Sequence, residues 1–203
     1  MVAIYGGSFN PIHLGHTNLA KSLLKQGLVD EVWLMVSPQN PLKAHVEDAP
    51  EYNAEEYGHR LRMARLACRN IRGIKVSDFE SRLPVPSYTY NTLTELIRQY
   101  PDRQFSLVIG ADNWQRFDHW YRADDIISLC PILVYRRPGH EISISDRYAD
   151  RVRIVETPLY DVSSTEIRNQ QKLDMVCPSV LKYIKENGLY GLVKENTREE
   201  NPS

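Results

Sequence analysis

The chain has little cysteine, and what it has forms no pattern. Cys68, Cys130 and Cys177 are odd in number and make no CxxC pair. Neither a zinc site nor a disulfide framework is expected; three buried, reduced thiols in a cytoplasmic protein are. No apolar run reaches the roughly 18 residues that a transmembrane helix needs. The opening residues Met1 to Gly6 carry no basic stretch and no long apolar run, so no signal peptide is expected. Charge of one sign is missing too: 25 Lys and Arg stand against 26 Asp and Glu, a formal net charge of -1. That balance excludes the strongly basic field of a duplex nucleic-acid binder, yet it leaves room for phosphates held in one small pocket. Neither GxGxxG nor GxxxxGK[ST] occurs, and no glycine is followed by lysine, so the dinucleotide fingerprint and the P-loop are both absent.

What is present is alternation. A chain of 203 residues fits one domain, here 1–193, with the polar residues 194–203 as a flexible tail. There is no internal repeat or low-complexity tract. Short continuous apolar runs predict strands buried on both faces at Val2–Tyr5, Val32–Val36, Phe105–Ile109 and Ile132–Tyr135, with weaker ones at Ile74–Val76 and Val152–Val155. Helical stripes lie between them. Leu19, Leu23 and Leu24 form one, stopped at Gly27; Asn53 caps another that carries Leu61, Ala64, Leu66 and Ala67, with Glu56 three residues on. Leu93, Leu96 and Ile97 mark a third, ended by Pro101, and Ile126, Ile127 and Leu129 a fourth. Val180, Leu181 and Ile184 form a last stripe that stops at Asn187-Gly188. The expected fold is α/β: a doubly wound parallel sheet with a small C-terminal helical part. In such sheets ligands bind beyond the carboxyl ends of the strands, which points to the turns after Tyr5, Val36, Ile109 and Tyr135.

The first of these turns carries the clearest chemistry. Gly6-Gly7-Ser8-Phe9-Asn10-Pro11-Ile12-His13-Leu14-Gly15-His16 follows a strand and opens a helix. Two glycines allow a tight turn and close approach of a ligand, and a helix N-terminus offers free N–H groups to an anion. His13 and His16 fall on one helical face, where imidazoles can donate to phosphate oxygens and change charge near neutral pH. Surface or core histidines are the plain alternative, made weak by the pairing and its setting; HxxH with no further ligand cluster is a weak zinc pair. Near the other end, Ser163-Ser164-Thr165-Glu166-Ile167-Arg168 puts three hydroxyls and an arginine at a helix start. A cap needs one hydroxyl, and the rest would suit a polyphosphate.

Together the two segments resemble the nucleotidyltransferase superfamily with the (H/T)xGH motif, here His13-Leu14-Gly15-His16, and within it the bacterial nicotinate-nucleotide adenylyltransferases. The opening Gly6-Gly7-Ser8-Phe9-Asn10-Pro11 is similar to that family's GG(T/S)F(D/N)P. Further similar blocks follow in order: Ser87 to Leu93, Ile109 to Asn113, Trp120-Tyr121, Arg136-Arg137-Pro138-Gly139, and Ile184 to Tyr190. Asn10 and Asn91 stand where Asp is common, and Leu42 where a His precedes the lysine.

The resemblance implies a Rossmann-like nucleotidyltransferase fold and adenylyl transfer from ATP to nicotinate mononucleotide, giving deamido-NAD and pyrophosphate in NAD biosynthesis. The mononucleotide phosphate would attack the α-phosphate in line. That nucleophile is already ionised, so alignment and charge neutralisation are the remaining tasks. By resemblance His16, with His13 beside it, stabilises the α-phosphate. Gly6, Gly7, Ser8 and Phe9 supply backbone contacts to the two nucleotides, and Ser163, Ser164, Thr165 and Arg168 hold the outer phosphates. Arg136 ends a strand at the ligand edge, where it would face phosphate. Asn40 and Lys43 would reach the mononucleotide from the loop after the second strand, a solvated loop lysine being the plain alternative. Gly110 lets ribose or base approach Asp112, which otherwise caps a short helix. Trp120 stacks on the pyridine ring or anchors the core. Tyr88, Thr89 and Tyr121 surround the ring's carboxylate. Magnesium would come on the ATP phosphates, with no protein metal ligand assigned. The implied partners are ATP and nicotinate mononucleotide, with no nucleic acid or membrane, and self-association is left open. Two other readings stand beside this one: phosphopantetheine adenylyltransferase, and a nucleotide-binding module without turnover.

Overall fold

Each central strand buries both faces, and that is why it reads as an unbroken apolar run. Along β1 (Val2–Gly7) Ala3 and Tyr5 enter one core while Val2 and Ile4 enter the other. β2 (Glu31–Val36) repeats the pattern, with Val32, Leu34 and Val36 on the first side and Trp33 and Met35 on the second. The computed structural model describes residues 1–39 and 52–193. The strands β3 (Ile74–Ser77), β4 (Phe105–Gly110), β5 (Ile132–Tyr135) and β6 (Val152–Val155) complete one parallel sheet in the order β3-β2-β1-β4-β5-β6. All six expected strands are there, the two weaker ones forming the edges, where less burial leaves less of an apolar run to read.

The helices α1 (Leu14–Lys25) and α2 (Ala54–Cys68) cover the first core together with α7 (Pro178–Glu186). On the second lie α3 (Thr89–Gln99) and α5 (Ala123–Leu129). Two short helices, α4 (Ala111–Trp114) and α6 (Ser164–Arg168), sit at the ligand edge. Their ends follow from local chemistry. Gly27 leaves α1 at φ 65°, which favours glycine, and the Asn53 side chain accepts from the amides of Glu55 and Glu56 at 2.9 and 3.1 Å. The Glu56 carboxylate, which sequence alone would fold back onto that cap, reaches instead to the Asn10 amide at 2.8 Å.

Chain order runs one way from β1 through β2 to β3 and the other way from β4 to β6. The switch point between β1 and β4 opens the crevice in which such sheets bind ligands. Asn40, Lys43 and the tail from 194 lie outside the described residues. Among the described residues no helix is long and apolar enough to cross a membrane.

Candidate active site

The first turn departs from its expected geometry in one respect. Gly6 and Gly7 remain in β1, and it is Phe9, at φ 46°, that carries the sharp change of direction. The Phe9 ring folds back under Gly7, where a Cβ would lie 3.1 Å from it, while nothing stands within 4 Å of a Cβ on Gly6. The glycines therefore provide close approach rather than the turn.

His13 is the N-cap residue of α1 and His16 lies three positions on. The His16 Nδ1 accepts from the His13 backbone N–H at 3.2 Å, which leaves its proton on Nε2. The two rings lie 3.7 Å apart between centroids. Gly15 makes this possible, since a Cβ there would meet the His13 ring at 3.0 Å and Val162 at 3.1 Å. The expectation that these imidazoles titrate near neutrality needs correcting. Burial, helped by the Arg137 charge, lowers His13 to about 4. Burial, then His13 and Arg137, holds His16 well below its usual value. Both are neutral donors at pH 7, because stacked buried rings beside a guanidinium disfavour a further positive charge. Among the described residues His13 Nδ1 is buried with no hydrogen-bond partner.

The C-terminal segment docks onto this turn. Ser164 Oγ donates to the Pro11 carbonyl at 2.9 Å, and Arg168 donates to the Asn10 carbonyl at 2.7 Å and to Thr165 Oγ1 at 3.0 Å. Ser163 caps α6 in a reciprocal pair with Glu166. The hydrogen bonds from Lys172 and Ser163 pull the Glu166 carboxyl down to about 2. Lys172, 2.8 Å away, balances that charge. The histidines and the hydroxyl–guanidinium segment thus meet, with Ser163 on the cavity wall and Ser164, Thr165 and Arg168 braced behind it.

Two cavities adjoin at the switch point and share Tyr5 and Tyr135, whose hydroxyls lie 3.4 Å apart. One, of about 390 Å³, is walled by His13, His16, Arg136, Arg137 and Ser163. The other, of about 510 Å³, is walled by Gly6, Gly7, Gly110, Tyr88, Thr89, Trp120 and Tyr121. Trp120 packs on Phe117 at 5.4 Å, as a core anchor would, and also lines the larger cavity, with Nε1 buried and without a hydrogen-bond partner among the described residues. Tyr121 is half exposed and lies 5.0 Å from Tyr88. Ser8 and Phe9 are on neither wall.

Asp112 does not cap α4, because Gly110 occupies the cap position. It pairs with Arg137 at 3.3 Å and leaves Oδ1 buried without a hydrogen-bond partner among the described residues. A Cβ on Gly110 would strike that Oδ1 at 2.5 Å, so this glycine makes room for the aspartate itself. Arg136 lines the smaller cavity but turns to Glu156 at 3.3 Å. Its neighbour Arg137, not singled out from sequence, is the cation whose charge acts on both histidines. The Arg-Arg pair was the visible signal; which member faces inward depends on where the strand ends.

Arg60 was also missed. It is 5% exposed and donates to the carbonyls of Ser8 at 2.7 Å, Ser37 at 2.8 Å and Pro38 at 3.0 Å, joining the turns after β1 and β2. Its spacing from the buried Tyr57, Met63 and Ala64 places it on the core face of α2, a readable sign that its charge would be held by the protein. Among the described residues no three His, Cys, Asp or Glu side chains gather into a metal ligand set.

Comparison with known proteins agrees with this geometry. A family profile described as cytidylyltransferase-like matches residues 4–170. A Bacteroides thetaiotaomicron protein, curated as a probable nicotinate-nucleotide adenylyltransferase, is 45% identical over 188 residues, 90% of each chain. The nicotinate-nucleotide adenylyltransferase of Bacillus subtilis is 32% identical over 194 residues, 93% of this chain and 97% of that one. In fold, the chain is similar to the Plasmodium falciparum nicotinic acid mononucleotide adenylyltransferase solved with NaAD, at TM-score 0.74 and 19% identity over 96% of this chain and 98% of the other. With the ordered motifs, the switch-point cavities and near full-length likeness in agreement, the chain belongs to the nicotinate-nucleotide adenylyltransferases of the cytidylyltransferase-like family.

Proposed function

We propose that the paired cavities hold the two substrates of one adenylyl transfer, ATP over the histidines and nicotinate mononucleotide against Trp120, with the mononucleotide phosphate attacking the ATP α-phosphorus in line. The single observation that carries this reading is the shared Tyr5–Tyr135 border, which sets an aromatic cavity next to an imidazole-lined one. The attacking oxygen is already ionised, so no base is required, and neutral Nε2–H of His16 suits a donor to the α-phosphate oxygens as charge builds there. Arg137 and His13 add to that field. Arg136 and Ser163, which line the smaller cavity, go with the outer phosphates; Ser164, Thr165 and Arg168 would join them by exchanging their bonds to Pro11, Asn10 and one another for phosphate oxygens, and Asp112 goes with a ribose.

Gly6 and Gly7 let the mononucleotide lie on bare backbone. Trp120 stacks on its pyridine ring, and the first-turn amides of α3 and the backbone around Tyr121 receive the ring carboxylate. Asn40 and Lys43 would approach the same substrate from the loop after β2. Magnesium would come on the ATP phosphates, with no protein ligand assigned among the described residues, and would supply charge neutralisation for the pyrophosphate. We place the reaction in the cytoplasm, the compartment in which free thiols such as Cys68, Cys130 and Cys177 persist.

The test is pyrophosphate release from ATP with nicotinate mononucleotide, nicotinamide mononucleotide and phosphopantetheine in parallel. Release is expected with the pyridine mononucleotides, nicotinate favoured. Release with phosphopantetheine alone, or binding without release, would refute the assignment. In the same assay Trp120→Ala should raise KM for the mononucleotide by about tenfold, about one stacking contact's worth, with KM for ATP little changed. An unchanged mononucleotide KM would return Trp120 to the core alone.

A further inference from the structure

The turn after β3 places a buried carboxyl on the wall of the larger cavity. Glu80, in the 3-10 turn Phe79–Arg82, is 7% exposed and lines that cavity together with Ser87, Thr89 and Trp120. Its Oε1 accepts from Thr92 Oγ1 of α3 at 2.9 Å, while Oε2 is buried with no hydrogen-bond partner among the described residues. The groups that face it are hydroxyls: Thr92 from α3, Ser37 from the turn after β2 and Ser87 from the segment before α3. Among the described residues no charged side chain is one of them. A fixed negative charge here would oppose an anionic ring substituent in the same cavity, and little would screen it.

We propose that Glu80 is a specificity-determining residue for the pyridine substituent: its carboxyl takes up a larger fraction of a proton from solvent when a ring carboxylate enters the cavity than when a neutral ring amide does. This rests on the larger cavity being the pyridine site. Burial already pushes the Glu80 carboxyl up to about 7, against the pull of the three hydroxyls, so the group is near half-protonated at neutral pH. A second anion nearby favours the acid form further. The sign follows by linkage. A bound state that holds an extra proton is favoured at low pH, so preference for nicotinate over nicotinamide is greatest below pH 7 and declines above it. The mononucleotide phosphate titrates in both substrates and cancels in their ratio.

The experiment is calorimetric binding of nicotinate and nicotinamide mononucleotides to the whole protein, in buffers of different ionisation enthalpy. Near neutral pH nicotinate mononucleotide should take up a larger fraction of a proton than its amide. The ratio of the two Kd values should shift toward the amide by about fivefold or more between about pH 6 and about pH 8.5. In Glu80→Gln, which keeps the shape and cannot titrate, both the excess uptake and the pH trend of the ratio should vanish. Equal uptake in the unmodified protein, or a Glu80→Gln ratio that still follows pH, would overturn the proposal while leaving the pyridine site standing. Absence of binding by either mononucleotide would remove both. The unmodified protein alone decides the matter if the variant does not fold.

Discussion

Replacing His16 with alanine is expected to leave a folded protein that turns over about a hundred to a thousand times more slowly, the usual cost of losing one donor to a transition state. The ring is fixed in orientation on several sides. Its Nδ1 is occupied by the His13 amide, its orientation is fixed by the tilted His13 ring 3.7 Å away and by edge contact with Phe9 at 5.0 Å, and its remaining N–H has no partner among the described residues. A contact made to charge that develops only during transfer lowers kcat and kcat/KM together, with KM for both substrates close to unchanged. Steady-state kinetics checks this, with circular dichroism and thermal melting to establish that the variant is folded. Near-normal kcat in a folded His16→Ala protein would remove the imidazole from the chemistry.

The second large effect concerns stability. Arg60→Met is expected to lower stability by about 3–5 kcal/mol, the range for removing one partner from a buried charged network. Methionine fills much of the volume but donates nothing, so the carbonyls of Ser8, Ser37 and Pro38 lose their shared donor while still buried. For a chain of this size that corresponds to a fall of about 10 °C in Tm. Arg60→Lys should recover only part of it, because an ammonium lacks the planar fork that reaches three carbonyls at once. Since Ser37, in one of the two tethered turns, lines the larger cavity, the proposed mononucleotide site, KM for the mononucleotide should rise more than kcat falls. Thermal melting and the KM–kcat split check both statements; a Tm within about a degree of the unmodified protein would show that the three carbonyls find other partners.

Much of this molecule could be read from residue order. The strands were legible because parallel strands buried on both faces leave continuous apolar runs, and the helices because one stripe, a cap such as Asn53 and a stop such as Gly27 are local features. The two chemical segments were legible for the same reason: each is a short run at a strand end or helix start. Some departures were local, such as the turn at Phe9, but most came from contacts between distant residues. Nothing in Glu56 says that it will leave its own helix cap for Asn10, since a local and a distant hydrogen bond are nearly equal in energy and tertiary placement decides between them.

The order of residues by itself determined the sheet, its helices and the two segments that carry the imidazoles and the hydroxyl–guanidinium cluster, because each depends on neighbours within a few positions. Tertiary structure alone decided that the segments meet, through Ser164 on Pro11 and Arg168 on Asn10, and that Arg137 rather than Arg136 faces the histidines. It also decided that those histidines are neutral and that Arg60 and Glu80 are buried. Burial and the distance between charges are properties of the packed chain, and they set protonation and partner choice wherever residues far apart in sequence come into contact.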